Sequence, residues 1–263
     1  MGARDVLFFI RAYCAPCCCV SFKKYLPKKG ECAMAVFAIG DLHLSLTTNK
    51  PMDVFGDCWA NHTDQLKDGF SCVHSGDLTV LAGDSSWGIS LSEAREDFLW
   101  IDRLPGRKLL LKGNHDYWWE TVSKTRRFFA ENGIETIDIL HNNAFLHDDY
   151  AICGTRGWFA PEEGDDPHAE KIYRRELGRL QTSLCAAKEL PAKEICCFLH
   201  YPPLARGYEC REITEMLTQY GVSRCYYGHL HGPGHGIRFE GMHHGVEYRL
   251  ISADFLRFVP LKL

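Results

Sequence analysis

The sequence predicts an α/β fold, because short apolar runs rich in β-branched and aromatic residues alternate with longer amphipathic stretches. Several of these apolar runs end in glycine followed by a carboxylate, amide or imidazole side chain. The length of 263 residues suits one α/β domain with a sizeable core, although two small domains are also compatible with it. Because α/β folds form binding sites at the carboxyl edge of the sheet, the fold class also predicts where a site would lie.

The charge of the chain is unevenly distributed. Residues 1–33 carry six Lys or Arg and two Asp or Glu, whereas residues 34–263 carry 24 and 32, a net charge of −8. An acidic body gives no electrostatic support for general nucleic-acid binding. No stretch reaches the roughly 18 apolar residues of a membrane span, so we expect a protein without a membrane partner.

The N-terminal segment differs in composition from the rest of the chain. We expect residues 1–33 to form an extension outside the fold and the compact domain to begin at Met34. Cys14 and Cys17 have the spacing of a redox motif but lack its strand-then-helix context. The apolar run at 6–10 is too short for a secretory signal. The eight later cysteines lack the spacing of a disulfide framework, which favours reduced thiols in a cytoplasmic protein.

The first predicted strand is the apolar run at residues 36–39, which Gly40 and Asp41 end. Asp41 and His43 are two positions apart, so on extended backbone their side chains would leave the same face and could bind one metal ion. Alone this pattern is weak, since a loop aspartate and a surface histidine are commoner. The later strands decide between the two interpretations.

The second predicted strand, at residues 78–82, ends in the same way with Gly83 and Asp84. Asp77 precedes this strand and Asp84 follows it. Because an extended strand of this length separates its two ends, the two carboxylates should lie at opposite edges of the sheet. Only Asp84 can therefore join Asp41.

A helix and a third strand follow. Residues 90–93 have the pattern of a capping box, and apolar residues recur with helical spacing over 94–101. The strand at 108–111 closes a β-α-β unit that should be right-handed and parallel. It leads directly into Gly-Asn-His-Asp at 113–116.

The remaining sequence continues the alternation of strands and helices. Two of its apolar strands end in histidine, one in His200 and the other in His229 and His231. The predicted elements are a short helix near 59–66, a helix at 119–132, hairpin strands of a second sheet layer within 134–159, a helix at 173–190, a strand at 195–199, a helix at 212–220, a strand at 225–227, and two antiparallel strands at 247–252 and 255–259.

Seven side chains with metal-ligand chemistry therefore follow predicted strands directly: Asp41, His43, Asp84, Asn114, His200, His229 and His231. Each has an ordinary explanation on its own, such as a core histidine for His200 or a turn residue for Asn114. Unrelated residues have no reason all to follow strands, so their joint placement favours a metal site. Seven nitrogen and oxygen ligands are too many for one ion and suit two. Their mixture favours Mn, Fe, Zn or Co over Ca or Mg.

The segments that follow the predicted strands, at 40–43, 83–84, 113–116, 200 and 228–231, together resemble the signature of the calcineurin-like metallophosphoesterase superfamily. The sequence over 34–263 is similar to a bacterial subgroup of predicted phosphohydrolases without an assigned substrate. The resemblance implies a four-layer α/β/β/α sandwich, in which two packed mixed β-sheets are flanked by helices. It also implies two divalent or mixed-valence transition-metal ions and a small phosphomonoester or phosphodiester substrate.

The resemblance further implies a role for each site residue. Asp84 would bridge the two metals, and a hydroxide between them would attack phosphorus, with His115 as general acid and Asp116 orienting it. The remaining ligands divide into Asp41, His43 and His231 for one metal and Asn114, His200 and His229 for the other. We also expect a phosphate contact from Arg156, for which a salt bridge is the commoner role. The sequence departs from the family pattern at Trp87, where a polar residue is usual.

Three other functions remain open on sequence grounds. A metal-dependent nuclease would require DNA contacts from the basic extension, because the body is acidic. A metal-binding scaffold without catalysis would be expected to lack ligands or the catalytic histidine, and this chain has both. A disulfide oxidoreductase would depend on Cys14 and Cys17 alone.

Overall fold

The structure is a computed structural model that describes residues 34–161 and 167–263. The predicted extension at 1–33, with its Cys14 and Cys17, lies outside the described residues. The helices are α1 His62–Gly69, α2 Arg95–Arg103, α3 Val122–Glu131, α4 Pro167–Lys188 and α5 Arg211–Gln219. Short 3₁₀ turns occur at Met52–Phe55, Asp57–Trp59, Phe70–Cys72 and Gly232–Ile237.

The described strands form two large sheets and one small ribbon. The strands are β1 Val36–Ile39, β2 Leu78–Ala82, β3 Arg107–Leu111, β4 Ile137–Ile139, β5 Ala144–His147, β6 Tyr150–Thr155, β7 Glu194–Leu199, β8 Leu204–Ala205, β9 Tyr208–Glu209, β10 Arg224–Tyr227, β11 Gly241–His243, β12 Val246–Leu250 and β13 Leu261–Lys262. The first sheet has the order β13-β1-β2-β3-β4, the second has β11-β12-β10-β7-β6-β5, and β8 pairs with β9.

Both large sheets are mixed, as predicted. In the first sheet β1 to β4 are parallel and β13 is antiparallel at the edge. In the second sheet β12, β10, β7 and β6 are parallel, with antiparallel β11 and β5 at the two edges. Parallel strands are buried on both faces, which explains their nearly continuous apolar sequences.

Alternation of side chains along the strands builds the four layers. In β1, Val36 and Ala38 face the second sheet, whereas their neighbours face the layer formed by α1, α2 and α3. In β7, Cys196 and Phe198 face the first sheet, and the ring of Phe198 stacks on Tyr226 with centroids 5.1 Å apart. The outer face of the second sheet packs against α4 and α5. The α/β/β/α sandwich is therefore confirmed.

Two strand predictions in the second half were wrong. Residues 137–139 form β4, which pairs with β3 in the first sheet and not in the second layer. Residues 255–259 form a turn in which Arg257 and Phe258 have φ values of 53° and 61°. This turn buries Phe258 against Trp59, so its apolar residues serve packing and not a strand. The last strand is instead β13, which pairs with β1.

The helices begin at different residues from those predicted, and three of them show why. The capping pattern at 90–93 forms a turn before α2, in which the backbone N–H of Glu93 donates to the hydroxyl of Ser90. Thr121 caps α3 by accepting from the N–H of Lys124, so this helix begins later than predicted. The long helix α4 begins with Pro167, a residue favoured in the first turn of a helix.

The eight described cysteines are free thiols, and Cys153, Cys196, Cys197, Cys210 and Cys225 are buried. Cys58 and Cys72 are exposed, so only part of the set is buried in the core. Within the ranges that the structure describes, we find no helix with the length and apolar character to cross a membrane.

Candidate metal centre

The predicted ligands meet at one rim of the sandwich, where parallel strands of both sheets end. The loops after β1 and β2 are joined by a hydrogen bond from the N–H of Asp41 to the carbonyl of Gly83, 2.9 Å. The loops after β7 and β10 are joined by a bond from the N–H of Gly228 to the carbonyl of His200. The N–H of His229 also donates to Asp41 at 3.0 Å, which links the two sheets at the rim.

One group of ligands contains Asp41, His43 and His231. Nε2 of His231 lies 3.4 Å from Oδ1 of Asp41 and 3.4 Å from Nε2 of His43. Metal-ligand bonds of about 2.0–2.2 Å at tetrahedral to right angles separate neighbouring ligand atoms by roughly 2.8–3.6 Å. The spacing of these three side chains therefore fits a transition-metal ion.

A second group contains Asn114, His200 and His229. Oδ1 of Asn114 lies 2.6 Å from Nε2 of His200 and 2.9 Å from Nδ1 of His229. Asp84 lies between the groups, with Oδ2 3.5 Å from Nε2 of His200 and 3.8 Å from Nε2 of His43. The structure thus brings all seven predicted ligands together, and Asp84 has the position of a bridging carboxylate.

Glycines beside the ligands make this close approach possible. A Cβ on Gly113 would lie 2.0 Å from Oδ1 of Asp84, and one on Gly228 would lie 2.5 Å from Oδ2 of Asp41. A Cβ on Gly83 would lie 2.6 Å from Nδ1 of His200. The glycines directly before Asp84, Asn114 and His229 therefore give room to a candidate ligand from a neighbouring strand.

Four of the ligands have left-handed backbone conformations that side chains other than glycine rarely adopt. The φ values are 60° for Asp41, 48° for His43, 51° for Asp84 and 72° for His229. Such residues cost of order 1–3 kcal/mol each and concentrate at functional sites. The left-handed conformation ends the extended strands and turns these side chains toward the rim.

Further contacts orient the ligand histidines. Nδ1 of His200 lies 3.1 Å from the carbonyl oxygen of Ala82, so Nδ1 is the donor and Nε2 is free to face Asn114. Nδ1 of His231 lies 2.9 Å from Oδ1 of Asp254, which leaves Nε2 facing Asp41. Hydrogen bonds of this kind fix the tautomer and raise the basicity of metal-bound histidines.

Asp254 was missed in the sequence analysis. It follows β12, so it has the strand-end position of the other site residues, but no glycine precedes it. Besides His231 it accepts the N–H of Gly232 at 3.1 Å. Its position after the strand was the only available signal.

The electrostatics of the site favour a bound cation. Burial raises the pKa of Asp84 to about 7, a net result to which His200 contributes a lowering and the negative charges of Asp116 and Asp41 a raising effect. Burial lowers the pKa of His43 to about 3 and that of His229 to about 4, which leaves both imidazoles neutral and able to bind metal. A buried carboxylate beside neutral imidazoles lacks the positive charge that a metal ion would supply.

His231 and Asp41 form an ion pair within the first group, with Nε2 of His231 3.4 Å from Oδ1 of Asp41. Burial opposes protonation of His231, but the carboxylates of Asp41 and Asp254 raise its pKa to about 10. Burial would raise the pKa of Asp41, but His231 outweighs this effect and holds that pKa well below its usual range. The pKa values of both groups are therefore shifted toward a positive charge beside Asp41, which a metal ion would also supply.

His115 lies half-buried beside the first ligand group. Its ring is 4.4 Å from that of Trp87, which in turn stacks on His43 with centroids 5.0 Å apart. The indole N–H of Trp87 donates to Sδ of Met52 and not to the site. Trp87 therefore provides an apolar wall where the family pattern usually has a polar residue.

Asp116 has a different position from the one expected. Its carboxylate accepts the N–H groups of Gly113, Asp84 and Ser85 and the indole N–H of Trp118. The bonds from Asp84 and Ser85 hold the loop after β2 to the loop after β3, and the other two stabilise the loop after β3 itself. Within the described residues we find no hydrogen bond from the ring of His115 to this carboxylate, and Nδ1 of His115 lies 3.4 Å from the hydroxyl of Tyr117 instead.

Arg156 forms the salt bridge that was the commoner alternative. Its guanidinium lies 3.2 Å from Glu176 and 4.5 Å from the centroid of the Trp158 ring. Its carbonyl oxygen accepts the N–H groups of His200 and Tyr201 at 3.0 and 2.9 Å. Arg156 thus contacts the site through its backbone, and its charge is directed at Glu176.

Comparison with known proteins is consistent with this site. A family model described as calcineurin-like phosphoesterase matches residues 34–233, which include all seven candidate ligands. No curated protein matches the chain. Among solved structures, a protein of unknown function from Aquifex aeolicus is 14% identical and covers 87% of this chain and 95% of its own, with a TM-score of 0.45.

Two further solved structures are similar at comparable levels. A protein from Thermus thermophilus is 12% identical, covers 76% of this chain and 83% of its own, and has a TM-score of 0.48. Another structure is 13% identical, covers 81% of this chain and 88% of its own, and has a TM-score of 0.50. At 13% identity, the similarity to this last structure shows a shared fold and nothing about function.

Proposed function

The chain belongs to the calcineurin-like phosphoesterase family, and from this premise we propose that it hydrolyses phosphomonoesters or phosphodiesters with two transition-metal ions. The observation that carries the proposal is the division of the seven ligands into two groups on either side of Asp84. A site for a single ion would need only one of these groups. The mixed imidazole, carboxylate and amide donors fit Mn, Fe, Zn or Co.

Each side chain has a proposed task in this reaction. Asp41, His43 and His231 would hold one ion, Asn114, His200 and His229 the other, and Asp84 both. When bound, the two ions would supply Lewis acidity toward the phosphoryl oxygens and activate water for attack. The glycines at the rim keep the ligand side chains in contact, and the buried loops exclude bulk water beneath them.

We assign His115 the role of donor to the leaving oxygen. Nδ1 of His115 faces the hydroxyl of Tyr117 at 3.4 Å, which leaves Nε2 to face a bound ester. The ring is held against Trp87, so its orientation is fixed by packing. We propose that Asp116 contributes indirectly, because its hydrogen bonds stabilise the loop that carries His115 and join it to the loop that carries Asp84.

The test compares the full chain with two variants, using Mn²⁺ and the esters p-nitrophenyl phosphate and bis-p-nitrophenyl phosphate. We expect about two Mn²⁺ ions at the candidate metal centre of each wild-type chain. His115→Ala should retain the ions and lose kcat by roughly 10²- to 10⁴-fold, the usual contribution of a general acid. Asp84→Asn should lose both metal and activity, because it removes the shared charge.

Matched controls come from exposed groups outside the site. One control is His74→Ala, because the side chain of His74 is 84% exposed. The other is Asp149→Asn, because Asp149 is exposed and pairs with the exposed Lys193. Both should behave as wild type. Bound metal without hydrolysis of either ester would favour the scaffold, whereas cleavage of single-stranded DNA without hydrolysis of the small esters would favour a nuclease.

We further propose that the functional domain spans residues 34–263 and acts in the cytoplasm. The family match begins at Met34, and the described cysteines are free. Because the proposed site binds a small phosphoester, its substrate requires neither a membrane nor a nucleic acid.

A further inference from the structure

A second group of metal-type ligands lies at the hairpin formed by β11 and β12. Glu209 comes from β9, His243 ends β11, and His244 lies in the turn that follows. One ligand atom from each of the three residues lies within 4.8 Å of the others. We propose that these three side chains bind a third transition-metal ion, of the zinc type, separate from the candidate metal centre.

The distances within this group match those of a metal site. Oε1 of Glu209 lies 3.0 Å from Nε2 of His243, inside the range of roughly 2.8–3.6 Å that separates neighbouring ligand atoms of one ion. The rings of His243 and His244 are 4.1 Å apart, with an interplanar angle of 59°. A small adjustment of these side chains would place all three ligand atoms around one ion.

Neighbouring groups hold Glu209 and the turn in place. The hydroxyl of Thr214 donates to Oε1 of Glu209 at 2.8 Å, which orients the carboxylate as second contacts do in metal sites. The hydroxyl of Thr218 donates to the carbonyl of His244 at 3.3 Å. Both threonines lie on α5, so one helix supports two of the three ligands.

A simple surface hydrogen bond explains only part of this arrangement. The pair of Glu209 and His243 accounts for two side chains but leaves the second imidazole unexplained. His244 has φ 48° and precedes Gly245 at φ 82°, a turn in which Asn or Gly is usual at both positions. A strained histidine at this position brings a third ligand to the pair.

The donors also indicate which ion would bind. Two imidazoles and one carboxylate are the ligand set of many three-ligand zinc sites, and they disfavour Ca²⁺ and Mg²⁺. The side chains of Glu209 and His243 are 29% and 28% exposed, so water can complete the coordination. Such an ion would connect β9 to the hairpin and so stabilise the edge of the second sheet.

Metal content measured by equilibrium dialysis against Zn²⁺ tests the inference on the full chain without a histidine tag. We expect three ions per wild-type chain and two in His244→Asn, whose asparagine is compatible with the left-handed turn. Glu209→Gln should also bind two. Asp84→Asn should lose ions from the candidate metal centre and retain the third, because it shares no residue with this group.

The control His74→Asn changes an exposed histidine elsewhere and should still bind three ions. Zinc should also raise the unfolding temperature of wild type more than that of His244→Asn, while both unfold at similar temperatures in EDTA. Equal zinc content in wild type and His244→Asn would overturn the inference. A wild-type content that stops at two, with both ions lost in Asp84→Asn, would overturn it as well and leave the proposed function intact.

Discussion

Gly113 shows how the absence of one carbon atom controls the candidate metal centre. In Gly113→Ala the new Cβ would lie 2.0 Å from Oδ1 of Asp84, so the bridging carboxylate must move. The displacement should also break the bond from the N–H of His115 to the same oxygen, now 2.7 Å long. We expect the variant to lose at least one ion per chain and most activity, as measured by metal analysis and ester hydrolysis.

The matched substitution is Gly178→Ala. Gly178 lies in α4, and a Cβ there would contact nothing within 4 Å. Alanine in a helix interior with open space around it should stabilise the chain by about 1 kcal/mol relative to glycine. Unchanged metal content in both alanine variants would contradict the role given to Gly113.

Asp254 provides a second prediction at the level of single residues. In Asp254→Asn the charge that supports His231 is lost, while the size of the side chain is kept. Loss of such a partner typically weakens metal binding by 10- to 100-fold, so we expect a weakening of about that size. Competition with a chelator measures the affinity, and an affinity equal to that of Asp149→Asn would contradict the prediction.

The positions of the seven ligands could be predicted because each closely follows an apolar strand, and most of them lie within a few residues of a glycine. Asp254 lacks a preceding glycine, so nothing in the local sequence separates it from a loop carboxylate. The place of Asp116 depended on which N–H groups point at it, and two of those come from a loop about thirty positions away. Local sequence does not contain that information.

Among the secondary-structure elements, β4 depends on a contact from α2. Oδ1 of Asp102 accepts the N–H groups of Glu135 and Thr136 and the hydroxyl of Thr136, at 3.0, 2.8 and 2.7 Å. Asp102→Ala leaves these donors without their partner and should lower the free energy of unfolding by about 2 kcal/mol. Asp102→Asn keeps the acceptor oxygen and should cost less than about 1 kcal/mol.

Urea denaturation of both variants checks this prediction, because two chains of similar size and fold share the same denaturant dependence. Equal stability of the alanine and asparagine variants would show that the bonds to Asp102 do not hold β4. The site should remain intact in both, since Asp102 lies on the helix side of the first sheet.

The existence of the helices and of the strongly apolar parallel strands was predicted correctly, whereas the helix starts and the short edge elements were not. The three residues of β4 are too few to show an alternation that assigns them to one sheet or the other. The segment at 255–259 has the apolar content of a strand, but Phe258 packs against Gly69. A Cβ on Gly69 would lie 2.1 Å from the carbonyl oxygen of Phe258. This close packing is visible only in the folded structure.

At the scale of the whole molecule, the compact domain should not require residues 1–33. The described residues from Met34 contain both sheets, both helix layers and all proposed ligands. We therefore expect a chain of residues 34–263 to unfold cooperatively and to bind the same number of ions as the full chain. Calorimetry and metal analysis of the two chains check this, and loss of metal from the shorter chain would assign the extension a part in the site.

The fold class followed from the sequence because most of the parallel strands are buried on both faces and therefore consist largely of apolar residues. The order of strands within the sheets did not follow. Neighbouring strands such as β10 and β7, or β13 and β1, are separated along the chain by dozens of residues, and no local pattern reports such pairings.

The division of the ligands between the sheets has a consequence for how the protein matures. Asp41 and Asp84 arrive with one half of the sandwich, and His200 and His231 arrive with the other. A chain whose halves are formed but not yet docked can offer only incomplete coordination, so high-affinity loading must come after docking. Cation uptake would then act as a quality check, in which only correctly assembled molecules acquire the capacity to react.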